Sequence, residues 1–110
     1  MITYNKIIRD NIPSIIEKDH KSCVVSVLDD EQFNLELKKK LIEEATEVLA
    51  ATTREELIGE IADMHEIIDK LKEIYGIDDV EVSKVQRIKA EKNGKFEKKL
   101  FLVSVDDKHE

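Results

Sequence analysis

The sequence predicts a mainly α fold: a helical bundle that carries a small two-stranded β patch. Apolar residues recur every three to four positions through much of the chain, which is the period of amphipathic helices. Charged residues make up 39% of the 110 positions and apolar residues 41%, with one proline and three glycines, a composition typical of helix-rich folded proteins. This length predicts a single helical domain over 1–105, and residues 106–110 are expected to be a solvated tail.

The first predicted elements are a short helix and a strand. Pro13 is tolerated in the first turn of a helix, and the isoleucines that follow it give a helix that ends near Asp19. The segment 22–28 is short and rich in valine, so it is predicted to be a strand.

The second helix is predicted to begin at a cap formed by Asp29 or Asp30 and to run to about Ala51. Glu36 and Lys40 lie four residues apart on this helix, which places them on the same face. We expect them to form an ion pair.

The third helix is predicted from a capping box, in which Thr53 and Glu56 satisfy each other's backbone N–H groups. It continues to Gly76, a residue typical of the position after a helix C-terminus. Because the turn before it is short, the second and third helices are expected to form an antiparallel hairpin. Gly59 lies inside the third helix, where glycine costs roughly 1 kcal/mol relative to alanine, and we interpret it as a position of close helix approach.

The last predicted elements are a fourth helix and a second strand. The helix begins at Asp78 or Asp79 and ends near Gly94. The segment 96–105 contains a run of leucine, phenylalanine and valine, and it is expected to pair with the segment 22–28 to form the two-stranded patch.

The charge and cysteine content exclude several classes of protein. A net charge of −7 argues against binding to the backbone of a nucleic acid polymer. No apolar run is long enough to span a membrane, so no membrane partner is expected. Cys23 is the single cysteine and has no internal disulfide partner, which fits a reducing environment and predicts a cytoplasmic protein.

Two pairs of carboxylates repeat one pattern, with two residues between the members of each pair. Glu44 and Glu47 lie on the second helix, and Glu60 and Asp63 lie on the third. The spacing places both members of a pair on nearly the same face of their helix. Glu44 and Glu60 each fall at about 300° in a helical projection, inside the apolar arc, so these acids are predicted to face the packed side of the hairpin.

Acids that face a packed interior need a cation, because an ionised carboxylate is costly to remove from water. No matched lysine or arginine is expected in the same helical sectors, and Glu43 is interpreted as a solvated neighbour. Oxygen ligands suit hard divalent ions, so the sequence predicts a Mg²⁺ site, with Mn²⁺ as a possible substitute. The alternative is that these acids line the edge of an ordinary amphipathic bundle.

Three segments together resemble the MazG superfamily of all-α nucleoside triphosphate pyrophosphohydrolases. The family signature of Glu-x-x-Glu followed by Glu-x-x-Asp corresponds to residues 44–47 and 60–63. The segment 4–13 is similar to the opening of small stand-alone members described as phosphoribosyl-ATP pyrophosphohydrolase-like, and the segment 89–96 is similar to their closing segment. The resemblance implies an all-α NTP pyrophosphatase-like bundle that uses magnesium to cleave the α–β phosphate bond of a nucleotide.

The resemblance also implies roles for individual residues. Metal binding and catalysis would fall to the four acids of the signature, Glu44, Glu47, Glu60 and Asp63. The phosphate groups of the substrate would be bound by cations from the first and last matching segments, Lys6, Arg9, Lys89, Lys92 and Lys95.

Two other functions fit the same residues. One is a catalytically weak nucleotide-binding or helical interaction module that keeps the fold. The other is a structural helical oligomer, since apolar residues from Leu57 to Leu71 have heptad-like spacing. In each case the predicted helices are too few to bury all of the apolar surface, so a homodimer or higher homo-oligomer is expected.

Overall fold

Four helices make up the regular structure of the part of this chain that the structure describes. The computed structural model describes residues 2–107. The helices of that range are α1 (Ile12–Lys18), α2 (Asp30–Ala50), α3 (Arg54–Tyr75) and α4 (Asp79–Asn93). The mainly α class is therefore confirmed. Over the same range, none of the helices combines the length and apolar character that a membrane crossing requires.

Side-chain caps explain where α2 and α3 begin. The Asp29 carboxylate accepts a hydrogen bond of 2.8 Å from the backbone N–H of Gln32, so Asp29 is the cap of α2. The Thr53 hydroxyl accepts one of 3.1 Å from the N–H of Glu56. The second hydrogen bond of the predicted capping box differs from the prediction. The Glu56 carboxylate accepts from the N–H of Thr52, at 3.0 Å, instead of from that of Thr53. The two interactions satisfy the backbone N–H groups of Thr52, just before α3, and of Glu56, in the first turn of α3.

The junction between α3 and α4 also follows local chemistry. Gly76 ends α3 with a φ of 63°, in the left-handed region that glycine adopts at low cost. Asp78 and Glu81 then form a complete capping box, in which each side chain accepts from the other's backbone N–H at 2.8 and 2.9 Å.

Helices α2 and α3 pack against each other as the predicted antiparallel hairpin. The Tyr75 hydroxyl, at the end of α3, accepts hydrogen bonds from the side chains of Asn34 and Lys38 near the start of α2, at 2.7 and 2.8 Å. Leu37 and Ile67 form the buried apolar core of the described residues, with 4% and 8% of their surface exposed. Each of the two helices contributes one residue to this small core.

The predicted β patch is wrong for the described residues, because neither 22–28 nor 96–105 forms a strand. Val27 and Phe96 expose 100% and 99% of their surface, so neither segment has a buried face. β-branched residues favour a strand only when it packs on a sheet and finds a hydrogen-bonding partner. The two segments also belong to different compact units of the chain.

The chain divides into two compact units, Met1–Gly76 and Ile77–Glu110. The first contains α1, α2 and α3, and the second contains α4 and the segment after it. The single domain expected over 1–105 stays a prediction. Of the predicted tail, residues 106–107 are exposed and have no regular structure, and 108–110 lie outside the described residues.

Candidate metal centre

Three carboxylates from the two packed helices converge in the first unit. One oxygen from each of Glu44, Glu60 and Asp63 lies within 4.8 Å of the other two. Glu44 comes from α2, whereas Glu60 and Asp63 come from one face of α3. We call these three residues the carboxylate triad.

The donor set of the triad fits a hard divalent ion. Oxygen ligands lie about 2.0–2.1 Å from Mg²⁺, so two of them are at most about 4.2 Å apart. The three oxygens lie within 4.8 Å of one another, which is close to that separation. An all-carboxylate donor set also suits hard divalent ions better than softer metals.

The carboxylates of the triad lie close enough to shift the pKa of one of them. Glu44 is buried, with 8% of its surface exposed, and Glu60 and Asp63 are half-buried. A hydrogen bond to Glu44 raises the pKa of Glu60, and burial and the negative charges of Glu44, Glu47 and Asp63 raise it further. A hydrogen bond between two carboxyl groups needs a proton on one of them. Close placement of these acids thus favours either a shared proton or a bound cation.

Glu47 is the one acid of the predicted four that lies outside the triad. It is exposed and lies one turn after Glu44 on α2. Its negative charge nevertheless acts on the site, because it contributes to the raised pKa of Glu60. Glu47 as a metal ligand stays a prediction.

Two cations lie beside the triad, and the expectation that no matched cation shares the helical sectors of the acids is wrong for Lys40. The Arg9 guanidinium donates a hydrogen bond from Nη2 to Oδ1 of Asp63 at 2.7 Å. The Lys40 ammonium lies 3.7 Å from Oε1 of Glu44. Lys40 therefore does not pair with Glu36 as predicted, and Lys39 takes that place at 3.3 Å. The four-residue spacing of Lys40 and Glu44 is a signal that the sequence already contains.

Glu43 connects two lysines rather than facing bulk solvent as interpreted. Lys6 and Lys40 each approach its carboxylate to 3.4 Å. Its burial alone would raise the pKa of Glu43, but the charges and hydrogen bonds of Lys40 and Lys6 outweigh that effect and lower it. Glu43 is therefore an ionised residue that holds both ammonium groups near the triad.

The predicted phosphate-binding residues fall into two groups. Lys6 and Arg9 precede α1 and contact acids of α2 and α3. Lys89, Lys92 and Lys95 are exposed residues of the second unit, in α4 or just after it. Their role in phosphate binding stays a prediction.

No protein-family model matches the chain, and comparisons with characterised proteins and with solved structures also gave no match. Any function assigned to the site therefore depends on the positions and chemistry of its own residues.

Proposed function

We propose that this protein is a magnesium-dependent nucleotide pyrophosphohydrolase, which cleaves the α–β phosphate bond and releases a nucleoside monophosphate and pyrophosphate. The observation that carries the proposal is the convergence of Glu44, Glu60 and Asp63, with one oxygen from each within 4.8 Å of the others. Arg9 pairs with Asp63 of the triad, and Lys6 pairs with Glu43, the residue before Glu44. Positive charge in these positions suits an anionic substrate. The resemblance of the motifs to the MazG superfamily supports the same reaction.

The metal of the proposal is Mg²⁺, with Mn²⁺ as a substitute, held by the triad. When bound, a divalent ion neutralises phosphate charge and makes a coordinated water more acidic. Glu44 is the buried anchor of the ligand set, and Glu60 and Asp63 approach it from α3. Glu47 is exposed one turn away, where it can complete the ligand set or orient the attacking water.

In the proposed reaction, the residues of the chain bind and orient the substrate. Water adds to one phosphorus of the anhydride, the bridging P–O bond breaks, and the proton of the water passes to a carboxylate and then to solvent. Arg9 and Lys6 hold non-bridging phosphate oxygens through charge-assisted hydrogen bonds.

The proposed protein is cytoplasmic and acts as a homodimer or higher homo-oligomer. Leu35, Ile42 and Leu49 recur every seven residues on α2, so they share one face of the helix. They expose 55%, 69% and 86% of their surface. An apolar stripe of this kind is costly in water and suits a helix of a second copy.

A nucleotide-binding or helical interaction module without turnover is the second candidate. The observation that favours it is the pairing of Asp63 with Arg9 and of Glu44 with Lys40, since these contacts compensate acidic charge without a metal. Calorimetry distinguishes the two candidates: tight nucleotide binding with no product after long incubation supports the module.

The test of the enzyme is pyrophosphate release from a panel of nucleoside triphosphates with Mg²⁺. We expect Glu44→Gln and Asp63→Asn to abolish release, because each removes a charged ligand at nearly constant size. Glu31→Gln is the matched control, since Glu31 is an exposed acid in the first turn of α2. Full activity in both triad variants would rule out the proposed function.

A further inference from the structure

The segment before α1 carries two cations that contact both carboxylate helices. Lys6 Nζ lies 3.4 Å from Oε1 of Glu43 on α2, and Arg9 Nη2 lies 2.7 Å from Oδ1 of Asp63 on α3. Lys6 and Arg9 are three residues apart, whereas their partners lie 37 and 54 positions further along the chain. This segment therefore spans the hairpin beside the triad.

Asp63 belongs to two groups at once. It is a member of the triad, and it also accepts the hydrogen bond from Arg9. Positive charge on the guanidinium reduces the attraction of this carboxylate for a divalent ion. The ion pair between Arg9 and Asp63 is thus expected to weaken metal binding by the triad, and a bound metal is expected to weaken the ion pair.

The contact between Arg9 and Asp63 is suited to exchange. The two side chains expose 61% and 42% of their surface. Ion pairs that are this exposed contribute little to stability, because solvent and salt screen them. A guanidinium also binds phosphate oxygens readily, since its planar donors match two oxygens of one phosphate group.

We propose that Arg9 is an exchangeable counter-ion of the metal centre: it neutralises Asp63 in the metal-free protein and moves to the phosphate of the substrate when a divalent ion takes the triad. The inference rests on the proposed function, since it takes the triad as the metal site. The Lys6 ammonium has three donors, so it keeps its contact with Glu43 and holds the segment in place while it also binds phosphate oxygens. Metal then strengthens phosphate binding through the release of Arg9 as well as through its own charge.

The first arm of the test measures Mn²⁺ affinity by calorimetry in the absence of any phosphate. Removing Arg9 frees Asp63, so Arg9→Gln should bind Mn²⁺ about two- to fivefold more tightly than wild type, the range of an exposed ion pair. Arg54→Gln is the matched control, because it removes the same charge at the start of α3, nine residues from Asp63. It should leave the affinity near the wild-type value.

The second arm measures the affinity for inorganic pyrophosphate with saturating Mn²⁺. Arg9→Gln should weaken this binding about tenfold or more, the effect of losing a charge-assisted hydrogen bond, and Arg9→Lys should fall between. Opposite changes in the two affinities support the exchange. A structural role of Arg9 would instead weaken both.

Two outcomes overturn the inference and can be told apart. If wild type binds Mn²⁺ but Arg9→Gln binds it no more tightly than Arg54→Gln, the exchange is wrong and the metal centre stands. If wild type has no saturable Mn²⁺ site, the proposed function fails together with the exchange. Circular dichroism of each variant confirms that it is folded as wild type is.

Discussion

Glu60 is an acid of the triad whose pKa is shifted by its surroundings. Its hydrogen bond to Glu44, its burial and the neighbouring acids raise its pKa above the ordinary value for glutamic acid. The folded protein therefore binds this proton more tightly than the unfolded chain does. By linkage, the metal-free protein loses this contribution to stability as the pH rises through the raised pKa.

This shift predicts how metal binding depends on pH. A divalent ion binds the ionised carboxylate, so Mn²⁺ affinity should fall on acidification over a range that begins above the ordinary glutamic acid pKa. Glu47→Gln removes one of the charges that raise the pKa of Glu60, and it should move this range to lower pH. Calorimetric titrations over a series of pH values measure both effects. Identical pH ranges in wild type and variant would contradict the electrostatic account.

Part of the site could be predicted at the residue scale. The helical angle placed Glu44 inside the apolar arc, and Glu44 is buried. The contact between Arg9 and Asp63 was not predicted because the two residues lie 54 positions apart. Helical periodicity relates only residues within a few turns of one another. Lys40 was missed for another reason, because several acids lie within one turn of it and spacing alone does not rank them.

For helices and strands, sequence patterns that act within a few residues, such as helix caps, predicted the structure correctly. Patterns that were expected to pair distant segments did not. Caps at Asp29, Thr53 and Asp78 fix the starts of three helices, and each acts within four residues of itself. A strand is different, because its hydrogen bonds come from another segment. The valines of 22–28 indicate compatibility with a strand, but they carry no information about a partner.

Gly59 provides a test of helix energetics at this scale. The interpretation that it allows close helix approach is wrong, because a Cβ at this position would meet nothing within 4 Å. Gly59→Ala should therefore stabilise the protein by about 1 kcal/mol, the difference in helix propensity. The free energy of unfolding in urea measures the change.

Gly76→Ala is the matched control for Gly59→Ala, and it should have the opposite sign. Its φ of 63° lies in the left-handed region, where an L side chain costs roughly 1–2 kcal/mol. Destabilisation by Gly59→Ala would show that the helix needs glycine there for a reason other than propensity.

The exposed stripe on α2 predicts self-association. Ile42 lies at the centre of the stripe and exposes 69% of its surface, so Ile42→Glu places a charge where a second copy is expected to pack. Analytical ultracentrifugation should show a dimer or higher oligomer for wild type and a monomer for the variant. Val80→Glu is the control, since Val80 is 75% exposed in the first turn of α4. A monomeric wild type would contradict the proposed assembly.

Across the whole molecule, the main feature is acidic charge that is concentrated where two helices pack. The chain has a net charge of −7, yet three of its acids converge where two packed helices meet. Arg9 and Lys40 compensate part of that charge from nearby. A divalent ion would compensate more of it and would connect α2 to α3. The sequence predicted the helices and a set of four acids, of which three converge in the triad. The division into two units depends on contacts between distant segments, and no single motif in the sequence reports such contacts.

We expect the triad to bind a divalent ion, and an anomalous-scattering map from crystals grown with Mn²⁺ is the sharpest test of that site. Such a map should show a peak within coordination distance of carboxylate oxygens from Glu44, Glu60 and Asp63, and the peak should be lost in Glu44→Gln. A map with no peak at the triad, in crystals whose Arg9 still contacts Asp63, would show that the triad is not a metal site.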